Sequence, residues 1–227
     1  MGNVVITGGK SGLGLELAKA YEAAGHHVIV GCRNAAVAPV GEAYELDLAD
    51  VASINQFVAA LGDRPVDVLI NNAGIDGRNV GAGDGHREAL TISNEAFNAV
   101  MQVNVNGPML VTQGLAPNLR KAAGAKVVNI SSQIGSMVVA QTMGRDISYA
   151  VSKAALNMVS IKLAQALQPD GVTVVMIHPG WLRTSMGGPA AAVDPDVAAA
   201  EIFATVNGLT IDNTSTFIRS DGSIHPW

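Results

Sequence analysis

Val4-Val5-Ile6-Thr7-Gly8-Gly9-Lys10-Ser11-Gly12-Leu13-Gly14 is the stretch from which the fold can be read. Three consecutive β-branched residues suit a strand covered on both faces, as in a parallel sheet. The strand is expected at 3–7. Glycines follow at once, and a helical pattern then runs through Ala24 to a stop at Gly25. A second strand is expected at 27–31. In a strand, glycine loop, helix and strand unit, a glycine-rich turn gains chemical meaning. Glycine lets the backbone turn tightly and come close to a pyrophosphate. The free N–H groups and positive dipole end of the next helix then face that anion. Gly8, Gly12 and Gly14 do not have the commonest G-x-G-x-x-G spacing, so an ordinary strand-to-helix turn stays open as an alternative.

The same rhythm continues downstream. Strands are expected at 44–46, 66–70, 126–130, 172–177 and 216–218. Helices are expected at 51–61 and 195–206, and a long helical region runs from an N-cap at Ser93 to about Lys121, interrupted or bent at Pro108. A further helix starts at Ser148. This alternation implies an α/β fold: a doubly wound parallel sheet of about seven strands with helices on both faces. The chain has 227 residues, which suits one domain over 1–227. The loose glycine-rich stretch 77–85 reads as a surface loop.

Composition excludes several classes. Net charge is −5, with no basic footprint for nucleic acid. The helical segment 154–167 is broken by Lys162 and Gln165, so no membrane span is expected. Cys32 is the only cysteine, which points to a reducing, cytoplasmic setting. There is no secretory leader pattern at 1–7. His178 and His225 lack the partners of a metal cluster, so no metal is expected.

Within Ser148-Tyr149-Ala150-Val151-Ser152-Lys153, Tyr149 and Lys153 share one helix face, a turn apart. A phenol titrates near pH ~10 and exchanges protons poorly at neutrality. A nearby ammonium favours the phenolate, so the pair is a plausible acid/base centre. Beyond it, Ala154, Ala155, Leu156, Met158, Val159, Ile161, Leu163, Ala164 and Leu167 make the helix apolar nearly all round. One face would cover the sheet, and the other implies a partner, so self-association is expected.

Together these residues resemble the short-chain dehydrogenase/reductase family over almost the whole chain. The matching segments, in the family's order, are Thr7-Gly8-x-x-x-Gly12-x-Gly14, Asn71-Asn72-Ala73-Gly74, Asn104-Val105-Asn106-Gly107, Ile130-Ser131-Ser132, Tyr149-x-x-x-Lys153, and Pro179-Gly180 with Thr184. The segments 178–188, 154–158 and 221–227 are similar to its small sniffer-type carbonyl reductase and C-factor branch. The resemblance implies a nicotinamide cofactor held by Gly8, Lys10, Ser11, Gly12, Leu13, Gly14, Asp47, Leu48, Asn72, Ala73, Gly74, Pro179, Leu182 and Thr184. It implies that Tyr149 gives a proton to a carbonyl oxygen, or takes one from an alcohol. Lys153 would lower the phenol pKa and bind the nicotinamide ribose. Ser132 would polarise the substrate carbonyl, and Asn104 would hold a water behind Lys153. Ser132 lies seventeen residues before Tyr149 and Ser136 thirteen. Ser132 is preferred because it ends a strand, with Ser136 as fallback and an insertion over 141–146 explaining the longer gap.

An acid at the end of the second strand would bind a ribose 2′-hydroxyl and repel a 2′-phosphate. Here the strand ends Gly31-Cys32-Arg33-Asn34. Arg33, aided by Lys10, favours NADP(H) over NAD(H). Trp181, Met186 and Met143 are candidate apolar walls for a small carbonyl or alcohol. Two rival readings remain open: a nucleotide-binding signalling protein of C-factor type, and an NAD-dependent alcohol dehydrogenase. The expected assembly is a homodimer or homotetramer.

Overall fold

Runs of β-branched residues build the frame. The protein is described by a computed structural model that covers residues 1–80, 88–143 and 146–227. Strands β1 (Asn3–Thr7), β2 (His27–Cys32), β3 (Glu42–Glu45), β4 (Val68–Asn71), β5 (Lys126–Ile130), β6 (Thr173–His178) and β7 (Thr216–Arg219) form one parallel sheet. Their order is β3-β2-β1-β4-β5-β6-β7. Successive side chains point to opposite faces, so each strand feeds two cores. Val4 and Ile6 pack with α1 (Gly12–Ala23) and α6 (Pro195–Gly208) through Leu17, Tyr21, Ile202 and Val206. Val5 packs on the other side with Phe57 of α2 (Val51–Leu61), Leu115 of α4 (Gly107–Leu119) and Ala164 of α5 (Ile147–Leu167).

Several boundaries differ from the sequence reading for local reasons. The ladder of β4 begins at Val68, not 66, because the Val66 N–H donates to the Asn118 carbonyl at 3.1 Å and holds that residue toward α4. Helix α5 begins at Ile147, since the Asp146 carboxylate caps it by accepting from the Tyr149 N–H at 3.0 Å. The long helical region is interrupted ahead of Pro108. Helix α3 (Asn94–Met101) runs into a π-turn, Gln102–Asn106, and then α4. Pro108 itself sits in the first turn of α4, where its missing N–H costs nothing. Within the loose stretch 77–85, residues Gly77–Val80 form a 3₁₀ turn, and the rest lies outside the described residues. Of the proposed insertion 141–146, residues 144–145 lie outside them too.

The buried side of α5 is mixed: Leu156, Ala164 and Leu167 are buried on it together with polar residues. Its buried residues include Ser148, Ser152, Lys153, Asn157 and Ser160, whereas Val151 and Met158 are 38% and 57% exposed. Several of these polar groups find partners inside the fold, while Asn157 Nδ2 and Asn71 Oδ1 have none among the described residues. Asn129 Nδ2 donates to Ser160 Oγ at 2.7 Å, and Ser131 Oγ donates to Asn157 Oδ1 at 2.6 Å. Asn71 Nδ2 donates to Asn129 Oδ1 at 2.8 Å and to Thr112 Oγ1 at 3.1 Å. A buried polar ladder thus joins β4, β5, α4 and α5.

Candidate functional site

A cleft of about 1220 Å³ runs along the carboxyl ends of the strands. It opens where β1 and β4 are neighbours and the strand order reverses, the place where open α/β sheets bind ligands.

The glycine loop forms one wall. Gly8 and Gly12 have φ of 74° and 56°, a left-handed backbone that glycine adopts without strain. Asn72 braces the loop from behind, with Nδ2 donating to the Thr7 carbonyl at 3.0 Å and the Gly8 carbonyl at 3.4 Å. Thr7 Oγ1 accepts from the Asn72 and Ala73 N–H groups, each at 3.1 Å. Ser11 makes no side-chain cap on α1, and Lys10, Ser11, Gly12 and Leu13 line the cleft. The open first turn of α1 and the flattened loop therefore fit a phosphate-bearing dinucleotide. Gly14 serves the loop rather than the cleft: a Cβ there would stand 2.5 Å from the Gly8 carbonyl oxygen. Gly14→Ala is expected to displace the loop and weaken cofactor binding roughly tenfold. A fluorescence titration giving the parent affinity would refute this.

At the far end of the loop wall, Cys32 is buried and its thiol donates to the Asn34 carbonyl at 3.3 Å. Arg33 and Lys10 are exposed, line the cleft, and have no ion-pair partner among the described residues. Asp47 turns the chain after β3, with Oδ1 accepting from the Ala49 N–H at 2.9 Å. Leu48 is buried beside it, and its carbonyl accepts from Gln102 Nε2 at 3.2 Å. Ala73 and Gly74 line the middle of the cleft.

Tyr149, Lys153 and Ser132 meet at the other end. Lys153 Nζ lies 5.5 Å from the Tyr149 ring centroid and donates to the Ile130 carbonyl at 2.8 Å. Burial lowers the Lys153 pKa to about 8. The Tyr149 phenol is pushed up to about 12, first by burial and then by the Asp76 charge, with Asp146 adding to the rise. The Ser132 hydroxyl beside the phenol pulls the other way. This differs from the expectation that Lys153 would lower the phenol pKa. The ammonium is engaged by the Ile130 carbonyl, and desolvation of the phenol dominates.

Two sequence candidates stand behind the cleft. Asn104 is fully buried in the π-turn. Its Oδ1 accepts from the Ile75 N–H at 2.8 Å, and its Nδ2 donates to the Ile75 carbonyl at 2.7 Å and Ser152 Oγ at 2.9 Å. A Cβ on Gly74 would lie 3.3 Å from Asn104 Oδ1 and 3.6 Å from Lys153 Nζ, so Gly74 leaves the room in which these groups approach each other. Ser136 does not line the cleft. It is fully buried, and its Oγ accepts from the Val139 N–H at 3.1 Å to cap a 3₁₀ turn.

The chain after β6 closes the front. Pro179, Trp181, Leu182, Thr184 and Met186 line the cleft there, and Met143 faces it from another loop. This segment is tied to itself. Leu182 bridges to Val193, Trp181 Nε1 donates to the Gly187 carbonyl at 2.9 Å, and Arg183 grips both Asp194 oxygens at 2.6 and 2.7 Å. His178 also borders the cleft; burial lowers its pKa to about 4, and its ring packs against His225 at 5.4 Å. Among the described residues, no group of three or more His, Cys, Asp or Glu is placed to hold a metal, and no helix is long and apolar enough to cross a membrane.

Comparison with known proteins bears on this arrangement. Residues 2–194 match the family model described as short chain dehydrogenase. This chain belongs to that family. It is 35% identical to the C-signal of Myxococcus xanthus over 163 residues, 72% of this chain and 93% of that protein. The carbonyl reductase Sniffer of D. melanogaster superposes with a TM-score of 0.89 at 28% identity, covering 100% of both chains. The NADPH-bound carbonyl reductase from chicken fatty liver superposes with a TM-score of 0.87 at 27% identity, over 99% of this chain and 98% of that one. The short-chain dehydrogenase family consists of oxidoreductases that use a nicotinamide cofactor and act on small molecules.

For this short-chain dehydrogenase, sequence reasoning missed the acidic side of the cleft. Asp76 and Asp146 are both buried and both act on the Tyr149 phenol. Asp146 carried a signal, since an aspartate just before a helical pattern is a standard N-cap. Asp76 and Arg78 carried none, because a turn after a strand has no periodicity.

Proposed function

We propose that this short-chain dehydrogenase transfers a hydride between NADP(H) and a small carbonyl or alcohol, and works chiefly as a carbonyl reductase. The observation that carries the reading is the meeting of the Tyr149 phenol and the Ser132 hydroxyl in the same cleft as the glycine loop. When bound, the nicotinamide cofactor supplies the hydride. Ser132 accepts the orienting role: its hydroxyl donates to the substrate carbonyl oxygen and polarises it. Tyr149 then delivers its phenolic proton to that oxygen, and in the oxidising direction it takes one back. A phenol held protonated at neutral pH suits the donor role better than the base role. Lys153 holds positive charge behind the phenol and would bind the ribose of the cofactor, with Asn104 behind it. Ser132 rather than Ser136 takes this role because Ser136 is buried under its own turn. In this reading one domain, 1–227, holds both the cofactor and the reacting groups.

Arg33 and Lys10 support NADP(H), because two cations without an ion-pair partner among the described residues, at the adenosine end, suit a 2′-phosphate. Arg33→Glu is expected to lower the ratio of NADPH to NADH affinity by about 10²-fold, through loss of one charge-assisted contact and gain of repulsion. The test is a titration of both cofactors, followed by turnover of a panel of ketones, aldehydes and quinones. Equal parent affinities would remove the NADP(H) preference. Tight binding without turnover across the panel would move the weight to a signalling role, a reading that the likeness to the C-signal supports.

We also propose self-association through the exposed apolar side of α5 around Val151 and Met158, giving a homodimer or homotetramer. A monomer at micromolar concentration in a sedimentation run would overturn it.

A further inference from the structure

The turn after β4 reaches across the cleft to the loop after β6. Asp76 is 5% exposed and sits at the base of that turn. Its carboxylate accepts from the Arg78 N–H at 3.0 Å and Arg78 Nε at 2.9 Å, and it also accepts from Arg78 Nη2. The base is fastened twice more: the Asp76 N–H donates to Asn79 Oδ1 at 3.0 Å, and the Gly77 N–H donates to Asp146 Oδ2 at 3.2 Å. Asp146 caps the helix that carries Tyr149. From this base the Arg78 guanidinium extends outward, with its side chain 49% exposed, and Nη2 donates to the Met186 carbonyl at 2.5 Å.

Topology gives this contact its meaning. Strands β4 and β6 flank β5, so their ends stand two strand spacings, about 10 Å, apart. Ser132 follows the end of β5. A side chain that joins the turn after β4 to the loop after β6 therefore passes over the point where Ser132 and Tyr149 face the cleft. All four residues line the same cavity.

We propose that Arg78 is a specificity-determining residue: anchored on Asp76 and hooked to the Met186 carbonyl, it straps the substrate side of the cleft above β5 and favours compact carbonyl compounds over bulky ones. The inference rests on the reductase reading for its substrate class, but the strap itself does not. A guanidinium suits the task because its planar fork holds a carboxylate with two nitrogens and keeps a donor for a carbonyl. Lysine gathers its donors on one rotating ammonium at the end of a shorter arm and would hold the two sides more loosely.

The test uses Arg78→Ala and Arg78→Lys in a Trp227→Phe background, which leaves Trp181 as the sole tryptophan. Trp181 stands on the same loop as Met186. Folding is checked by circular dichroism, and cofactor affinity by titration. The first readout is acrylamide quenching of Trp181, expected to rise about twofold in Arg78→Ala as the loop loosens. The second is kcat/KM with NADPH for diacetyl and for phenanthrenequinone. The bulky-to-small ratio is expected to rise about tenfold in Arg78→Ala, mainly through a lower KM for the quinone, with Arg78→Lys between. Unchanged quenching in either folded variant, or a ratio within about twofold of the parent, overturns the strap. If the parent reduces neither compound, the reductase reading falls and quenching alone decides the strap.

Discussion

Tyr149→Phe is expected to reduce turnover by about 10²–10⁴-fold while leaving cofactor affinity within about twofold of the parent. The substitution deletes one oxygen. The ring that lies beside Lys153 remains, as do the helix cap from Asp146 and the Lys153 bond to Ile130. What disappears is the phenolic proton donor that shares the end of the cleft with the Ser132 hydroxyl. The direction of the phenol's shift sharpens the expectation. Burial and the Asp76 charge hold its pKa at about 12, so the donor form is fully populated across neutral pH. The rate of carbonyl reduction should then be flat from pH 6 to 8 as far as this group is concerned, by the rule that a group titrates within about a unit of its pKa. Cofactor absorbance measures both quantities. Residual activity within about tenfold of the parent in a folded variant would remove Tyr149 from the acid role.

Lys153→Met is expected to lower turnover by at least about 10²-fold and yet to stabilise the protein near pH 7. Burial lowers the lysine pKa from 10.5 to about 8. Because the folded value lies below the unfolded one, the unfolded chain holds more protons between those two values. Stability therefore rises with pH through that window, and below about 8 the full cost of the buried ammonium stands. That cost is of the order of 3 kcal/mol. Removing the donor to the Ile130 carbonyl takes back about 1 kcal/mol, leaving a net gain of about 1–2 kcal/mol at pH 7. The Tyr149 phenol works oppositely above pH ~10: its raised pKa gives stability that is lost as pH climbs toward 12. Urea midpoints measured from pH 7 to about 10 should thus climb for the parent and stay level for the variant. Parallel slopes in the two proteins would show that Lys153 is not the buried base responsible.

Much of this architecture is legible in the residues themselves. Unbroken runs such as Val4-Val5-Ile6 and Thr173–His178 mark parallel strands because both faces are covered. The glycines mark the loop, and the four-residue spacing of Tyr149 and Lys153 marks a shared helix face. The parts that could not be read are those set by tertiary contact. The π-turn Gln102–Asn106 follows no composition rule, and it determines where Asn104 points. The choice between Ser132 and Ser136 depended on which side of a 3₁₀ turn faces the cleft, a matter of half a turn of backbone. The Asp76 and Arg78 pair is polar loop sequence until the Met186 carbonyl is brought beside it. Helix α5 covers the sheet with apolar residues as its composition implies, through Leu156, Ala164 and Leu167, but the same buried side also carries Ser152, Asn157 and Ser160, whose oxygens bond inside the fold and which follow no apolar periodicity.

That polar underside constrains how the protein can change over evolutionary or engineered time. Apolar packing tolerates sliding, because one methyl group substitutes for another at small cost. The hydrogen bonds from Ser131 to Asn157 and from Asn129 to Ser160 do not slide. They index the helix along its axis against β5, the strand that leads into Ser132. The distance between the two hydroxyl groups at the end of the cleft is thereby written in amide and hydroxyl geometry a full two turns away. Core volume can drift while that index holds, but an exchange of either amide would have to be matched on the facing element in the same step.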